Sequence, residues 1–156
     1  MLNKIKKRDE LLIEVRDLKE QEIKVAFTNG CFDLLHAGHV RYLAEAGTKG
    51  DILVVGLNSD RSVREIKGPK RPIVPEDQRA KVLASLACVD FITIFDEPDP
   101  LALIKYIVPD ILVKGADWHE EKIIGRNVVN EVVRIPLVKG ISTSGIIERI
   151  MELYCN

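Results

Sequence analysis

The sequence contains few cysteines and no long apolar segment. Its three cysteines, Cys31, Cys88 and Cys155, are scattered over 156 residues and form no CxxC pair. This usage suits a reducing compartment. No run of 18 apolar residues is present, and the charged start of the chain lacks the apolar core of a signal peptide. We therefore expect a cytoplasmic protein that does not cross a membrane.

The sequence also lacks an excess of charge of either sign. Its 23 lysines and arginines nearly balance 24 aspartates and glutamates, for a net charge of −1. Such a balance gives no basic face for nucleic acid or for an anionic membrane, so we expect neither partner. No internal repeat or low-complexity linker is present, and 46% of the residues are hydrophobic. We predict a single domain over residues 1–156.

Short apolar runs alternate with helical patterns along the chain. The apolar runs predict strands at about residues 23–29, 51–57, 90–95, 110–114 and 132–136. Helices are predicted at about residues 37–47, 59–66, 76–87, 99–107, 121–129 and 143–153, after an amphipathic helix at 1–20. Continuous apolar strands are typical of a parallel sheet covered on both faces. We predict an α/β fold with a doubly wound, five-stranded parallel sheet and a site at the carboxyl ends of its strands.

The segment 28–39 carries the strongest functional signal. It reads Thr-Asn-Gly-Cys-Phe-Asp-Leu-Leu-His-Ala-Gly-His and lies between a predicted strand and a predicted helix. A helix start offers free N–H groups and the positive end of the helix dipole to a phosphate. Gly38 lets an anion come close, and His36 and His39 can donate hydrogen bonds to charge that develops during phosphoryl transfer. The pattern predicts nucleotide chemistry.

The two histidines have two alternative interpretations. An HxxH pair can be half of a zinc site, or both rings can be structural. Zinc needs a third protein ligand, and the remaining histidine, His119, lies far along the chain. The strand, glycine and helix around the motif favour a phosphate site.

Further segments carry cations and hydroxyl groups that suit an anionic ligand. Residues 67–72 form a cationic stretch with glycine and prolines, which is either plain surface or a mobile cover for phosphates. Arg79 either reaches the site or pairs with a carboxylate. Residues 142–144, Ser-Thr-Ser, precede an apolar helical pattern and form a second helix-start anion site, with capping as the alternative role for one hydroxyl.

The segment 114–118, Lys-Gly-Ala-Asp-Trp, follows the fourth predicted strand. The backbone of Lys114 and Gly115 can line a nucleobase at the switch point of the sheet. Asp117 can accept a hydrogen bond from a ribose hydroxyl or a base amine. Trp118 either stacks on a base or packs against the protein.

Together these segments resemble the cytidylyltransferase-like nucleotidyltransferases. Residues 30–33 and 36–39 match the GxFD…HxGH signature, residues 113–118 resemble the family's nucleotide loop, and residues 140–144 resemble its carboxyl-terminal signature. The resemblance implies a Rossmann-like nucleotidyltransferase fold. With the patterns above, it predicts catalytic roles for His36, His39 and Lys67 and substrate contacts from Asp33, Arg71 and Arg79. The predicted nucleotide contacts are Thr28, Asn29, Gly30, Cys31, Phe32, Gly38, Lys114, Gly115, Asp117, Ser142, Thr143 and Ser144.

Within this family, the middle of the chain resembles the heptose 1-phosphate adenylyltransferases, in residues 58–63, 67–72, 78–79 and 109–115. The resemblance implies transfer of AMP from ATP to D-glycero-β-D-manno-heptose 1-phosphate, a step toward the lipopolysaccharide core, and a homodimer. That domain is often fused to a sugar kinase, and we expect a stand-alone form because no kinase-sized segment is present. Since the carboxylates form no cluster for a metal cage, Mg²⁺ is expected to arrive with ATP.

Two other functions are considered. Residues 115–118 also resemble the loop of the glycerol-3-phosphate cytidylyltransferases, including its tryptophan. That group usually has Arg-Thr-Glu where this chain has Leu-Val-Lys at residues 137–139, so an arginine that could serve cytosine is replaced by an apolar side chain. The other alternative is a non-catalytic nucleotide sensor, which would not need His36, His39 and Lys67 together.

Overall fold

A computed structural model describes residues 2–155, and in that range the strands form one five-stranded parallel sheet. The strands are β1 (Val25–Gly30), β2 (Ile52–Asn58), β3 (Phe91–Phe95), β4 (Ile111–Gly115) and β5 (Glu131–Ile135). Their order is β3-β2-β1-β4-β5, so the direction of winding reverses between β1 and β4. This confirms the predicted doubly wound parallel sheet, and its switch point places the expected crevice at the ends of β1 and β4.

The helices cover both faces of the sheet. They are α1 (Arg8–Glu20), α2 (Ala37–Gly47), α3 (Asp60–Lys67), α4 (Glu76–Ala84), α5 (Leu101–Ile107) and α6 (Thr143–Tyr154). One core cluster joins the sheet to α2 and α4, and the other joins the opposite face to α1 and α5. No helix in residues 2–155 is long and apolar enough to cross a membrane.

The amino-terminal helix starts later than predicted. Residues 2–4 form a 3₁₀ turn, and Ile5 then pairs with Ile92 in an isolated parallel bridge. The helix begins at Arg8, after a capping box in which the Glu10 carboxylate accepts from the backbone N–H of Lys7 at 2.9 Å. The prediction of a helix over residues 1–20 is therefore wrong for its first turns, and residue 1 lies outside the described range.

The predicted helix at residues 121–129 is wrong. The segment contains a 3₁₀ turn at Glu120–Lys122 followed by further turns. Gly125 has a φ of +92°, which is left-handed backbone, and a Cβ at this position would lie 2.6 Å from Cδ1 of Ile104. The apolar residues that suggested a helix instead pack against the core from a segment of turns. Ile123 is buried in the core, and Val128 and Val129 pack against it.

The buried face of α1 leads to a test of the fold. Leu11 is fully buried, whereas Ile13 on the same helix is 62% exposed. Leu11→Ala should lower the free energy of unfolding by about 2–5 kcal/mol, because it leaves a cavity in the core. Ile13→Ala, the matched control, should change it by less than about 0.5 kcal/mol. Chemical denaturation of both variants measures this, and equal effects would contradict the described packing of α1.

Candidate active site

The predicted site residues converge on one cleft of about 540 Å³. It lies over the carboxyl ends of β1, β2 and β4, between the amino-terminal ends of α2 and α6. Its lining includes 16 of the 18 predicted site residues: Asn29, Gly30, Cys31, Phe32, Asp33, His36, Gly38, His39, Lys67, Arg71, Lys114, Gly115, Asp117, Ser142, Thr143 and Ser144.

The two histidines stack at the amino-terminal end of α2. Their ring centroids lie 3.8 Å apart with an interplanar angle of 18°. His36 is also the N-cap of the helix, since its Nδ1 accepts from the backbone N–H of His39 at 3.4 Å. The proton of a neutral His36 therefore sits on Nε2. Phe32 holds His39 from the side, with ring centroids 5.3 Å apart in an edge-to-face contact.

Both histidines are poised to be neutral in the free protein. Burial lowers the pKa of His36 below its usual value. Burial lowers the pKa of His39 further, to about 4, and the neighbouring His36 ring adds to this effect. A proton on one ring would repel a proton on the other, since the rings are stacked. An incoming phosphate would oppose both effects and favour N–H donation toward its oxygens.

Gly38 is closely surrounded by side chains that the sequence did not place beside it. A Cβ at this position would lie 3.0 Å from two atoms of the His36 ring and 3.1 Å from Cγ2 of Ile141. The missing side chain therefore leaves room for the His36 ring and for the segment that leads to α6. The close approach of an anion to Gly38 stays a prediction.

Asp33 ties the cationic loop to the end of β1. Its side chain is fully buried and accepts from the backbone N–H groups of Ile73 and Val74 at 2.8 and 2.9 Å and from Nε of Arg71 at 2.5 Å. Burial acts to raise the pKa of Asp33, but these donors outweigh it and hold the pKa below its usual value. The ionised carboxylate thus fixes residues 71–74, and Lys67 lines the cleft just before this loop.

Arg79 lies beneath the cleft and outside its lining. Its side chain is fully buried, and it donates to the carbonyl oxygens of Val74, Cys31 and Asn58 at 2.9, 2.5 and 2.9 Å and to the carboxylate of Asp60 at 2.7 Å. These bonds use four of its five N–H groups. The structure therefore uses Arg79 to join the ends of β1 and β2 to the loop, which corrects the predicted contact with substrate.

Thr28 also lies below the cleft. It is fully buried, and its hydroxyl is 2.8 Å from the hydroxyl of Tyr42, which in turn donates to the carbonyl oxygen of Val113 at 3.2 Å. The predicted nucleotide contact of Thr28 is corrected accordingly, since its side chain is buried outside the lining, whereas its partner Tyr42 lines the cleft.

The loop after β4 forms an apolar wall of the cleft. Gly115 has no side chain, and Oδ1 of Asp117 folds back over the position that a Cβ would occupy. That Cβ would also lie 3.2 Å from Cδ2 of Leu137. Leu137 and Trp118 are each 51% exposed and line the cleft together with Ile124. Arg134 donates to the carbonyl oxygen of Trp118 at 3.2 Å. This wall is largely apolar and includes the carboxylate of Asp117.

The start of α6 provides the second helix-start site. The Ser142 hydroxyl accepts from the backbone N–H of Gly145 at 3.0 Å, so Ser142 takes the capping role that was the alternative interpretation. Thr143 and Ser144 remain in the lining of the cleft with their hydroxyls. Gly140, with a φ of +80°, turns the chain into this segment. The two helix starts face the same space.

Several lining residues were not predicted as site residues. They are Tyr42, Asn58, Ile66, Pro98, Asp99, Pro100, Trp118, Ile123, Ile124, Leu137, Val138 and Ile141. Trp118 and Leu137 were considered only as possible base contacts. Most of the others are apolar residues on separate elements, which look like ordinary core in the sequence. The segment 98–100, Pro-Asp-Pro, could have been found, because it follows a strand of a parallel sheet.

The comparison with known protein families decides the identity of this cleft. The cytidylyltransferase-like family model matches residues 27–149, which span the segments that form the site. The chain belongs to the cytidylyltransferase-like family. It is a nucleotidyltransferase, and the predicted Rossmann-like nucleotidyltransferase fold is confirmed.

Similar proteins include longer proteins that are named as bifunctional. The chain is 50% identical over 156 residues to the bifunctional protein HldE of Pelobacter propionicus, covering 97% of this chain and 32% of that protein. It is 58% identical over 129 residues to bifunctional protein HldE of Campylobacter concisus, covering 83% of this chain and 27% of that protein. This cytidylyltransferase-like chain thus spans about a third of the length of these relatives.

A solved structure has a similar fold. The lipopolysaccharide core biosynthesis protein from Thermoplasma volcanium matches with a TM-score of 0.64 and 30% sequence identity. The match covers 75% of this chain and 99% of that protein.

The Asp33 contacts lead to a test of its positioning role. Asp33→Asn keeps the size of the side chain but removes its charge and one acceptor, so residues 71–74 should be held less firmly. The backbone amides of Ile73 and Val74 should exchange with deuterium at least about tenfold faster, since charged hydrogen bonds contribute about 1.5–3 kcal/mol. Asp77→Asn, at an exposed position on α4, is the control. Unchanged protection in Asp33→Asn would mean that other contacts hold this loop.

Proposed function

We propose that this protein transfers AMP from ATP to D-glycero-β-D-manno-heptose 1-phosphate, forming ADP-heptose and pyrophosphate. The observation that carries the proposal is the stacked, neutral His36–His39 pair at the start of α2, which faces the start of α6 across the cleft. The identity of the sugar rests on the sequence resemblance in residues 58–115. Similarity to a protein of lipopolysaccharide core biosynthesis supports the same choice.

The reaction is a direct, in-line transfer. A phosphate oxygen of the sugar 1-phosphate attacks the α-phosphorus of ATP, the new P–O bond forms, and the bond to the β-phosphate breaks to release pyrophosphate. The attacking phosphate is already anionic, so no general base is required. Cys31 lines the cleft, but burial raises the pKa of its thiol, which disfavours a covalent intermediate. Catalysis then depends on positioning and on stabilisation of charge.

The histidine pair is suited to stabilise the transition state. The Nε2–H of His36 is free to donate because its Nδ1 already accepts from the helix. Neutral imidazoles cost little free energy in the empty cleft and bind more strongly as negative charge grows on the α-phosphate. The free N–H groups at the start of α6 and the ammonium group of Lys67 would hold the departing phosphates.

Mg²⁺ enters the proposal as part of the substrate. The triphosphate of ATP can supply phosphate oxygens to the ion, and water completes its octahedral shell. Lys67 would share the neutralisation of this charge from the side of the loop. We place the reaction in the cytoplasm, where ATP is supplied, and the homodimer stays a prediction.

The apolar wall favours adenine over cytosine. Cytosine presents two acceptors that need buried donors, and Leu137 offers none beside Gly115. A site whose polar groups do not match a base leaves them buried and unpaired. The second candidate, transfer from CTP to glycerol 3-phosphate, is favoured by Trp118 in the same loop, as the sequence resemblance indicated.

The role of the histidine pair can be tested with the third histidine as a control. His36→Ala and His39→Ala should each lower kcat by about 10²–10³-fold, the usual loss on removal of one preorganised donor. His119→Ala, at an exposed position, should leave kcat unchanged. Pyrophosphate release measures all three variants. Near wild-type turnover in His36→Ala or His39→Ala would assign that ring a structural role.

The choice of substrates can be tested by pyrophosphate release with a panel of nucleotides and sugar phosphates. With heptose 1-phosphate, kcat/KM should be at least about tenfold higher for ATP than for CTP, a difference of about 1.4 kcal/mol. Comparable rates with CTP and glycerol 3-phosphate would overturn the proposal in favour of the second candidate. Nucleotide binding without turnover on any acceptor would instead support the non-catalytic sensor.

A further inference from the structure

Lys114 is a cation at the floor of the cleft that has no anionic partner among the described residues. It lies near the end of β4 and lines the cleft, where its Nζ donates to Oδ1 of Asn29 at the end of β1. Within residues 2–155, no carboxylate forms an ion pair with it. An enclosed charge without a counter-charge costs free energy. The contacts of Lys114 with the protein therefore do not explain its presence.

The surrounding groups leave the position in front of Lys114 open. The hydroxyl of Tyr42 on α2 is hydrogen-bonded to Thr28 and Val113. The carboxylate of Asp33 accepts hydrogen bonds from the loop at residues 71–74. His36 and His39 on α2 are neutral when the cleft is empty. Asp117 folds back over Gly115 and makes no ion pair with Lys114 among the described contacts. The negative charge that Lys114 lacks can thus come from a ligand.

Burial lowers the pKa of Lys114 to about 8, so the empty cleft lets part of the population lose its proton near that pH. A bound oxyanion in contact with Nζ would stabilise the ammonium form and raise the pKa again. Binding of the anion above pH 8 would then take up a proton from solvent. Asn29 orients Nζ in either state through its amide oxygen.

We propose that Lys114, oriented by Asn29, is a binding residue for a phosphate oxyanion at the floor of the cleft. The assignment rests on the proposed phosphoryl-transfer function. The oxyanion belongs either to the phosphate of the acceptor or to the α-phosphate of ATP, since both must meet at this point for in-line transfer.

Isothermal titration calorimetry in two buffers of different ionisation enthalpy tests the proposal at pH 8.5. Three probes are titrated separately: heptose 1-phosphate, the ATP analogue with a methylene between the α- and β-phosphates, and inorganic phosphate. Lys114→Met removes the charge at similar volume, and Lys105→Met, at an exposed position on α5, is the control. The readout is the difference in proton uptake between each variant and the wild type, which cancels the ligand's own ionisation.

The wild type and Lys105→Met should take up about 0.8 proton per site more than Lys114→Met, the fraction that a pKa of about 8 leaves neutral at pH 8.5. Lys114→Met should also bind the same probe at least about tenfold more weakly at pH 7. Lys114→Arg, which keeps its proton throughout, should bind without the extra uptake. Uptake with heptose 1-phosphate alone assigns the oxyanion to the acceptor, and uptake with the ATP analogue alone assigns it to the α-phosphate.

The proposal is overturned if the wild type and Lys114→Met bind every probe with equal affinity and equal proton uptake. Thermal unfolding tests whether the variant is folded. Lys114→Met removes an unpaired charge, so it should melt at the same or a higher temperature than the wild type. Since inorganic phosphate needs no turnover, proton uptake without any transferase activity would reject the proposed function and retain this site. Transferase activity without any difference in affinity or proton uptake between the wild type and Lys114→Met would reject this site and retain the proposed function.

Discussion

The position of the cleft depends on the point at which β1 and β4 stop pairing. β1 is paired with β2 over six residues but with β4 over only Ala26 and Phe27. Beyond these pairs the two central strands separate, and the cleft opens between their carboxyl ends. Tyr42 spans this opening through Thr28 and Val113, and Lys114 spans it through Asn29. Because the winding of the sheet reverses here, the loops on either side lead away from the opening and leave it free for a ligand.

The charged residues around the opening divide into those that bind other parts of the protein and those that face the cleft. The carboxylates closest to the motif are used by the protein, since Asp33 holds the loop through Arg71 and two amides and Asp60 is paired with Arg79. The charged residues that face the cleft without such a role are Lys67 and Lys114, together with Asp99 and Asp117 on other elements. The two histidines and the starts of two helices line the same space.

Much of the site could be read from the sequence because its residues lie in continuous motifs. His36 and His39 follow a strand and begin a helix, so their shared location needed only local rules of helix initiation. The same holds for Ser142 to Ser144 at the start of α6. Arg79 was misjudged because the sequence shows its charge but not its burial beneath three carbonyl oxygens. Ile123 was misjudged because an apolar residue anchored in a turn has the same spacing as one on a helix.

The sequence by itself determined the alternation of strands and helices, the parallel sheet and the positions of the two helix starts at the cleft, since each follows from hydrophobic period and local hydrogen bonding over a few residues. Only the tertiary structure decided which cations line the cleft. Arg79 and Lys114 are both basic residues near the switch point, yet the protein surrounds the first with its own oxygen atoms and leaves the second with a single amide oxygen. That difference depends on contacts between residues far apart in the chain, and local sequence patterns carry no information about such contacts.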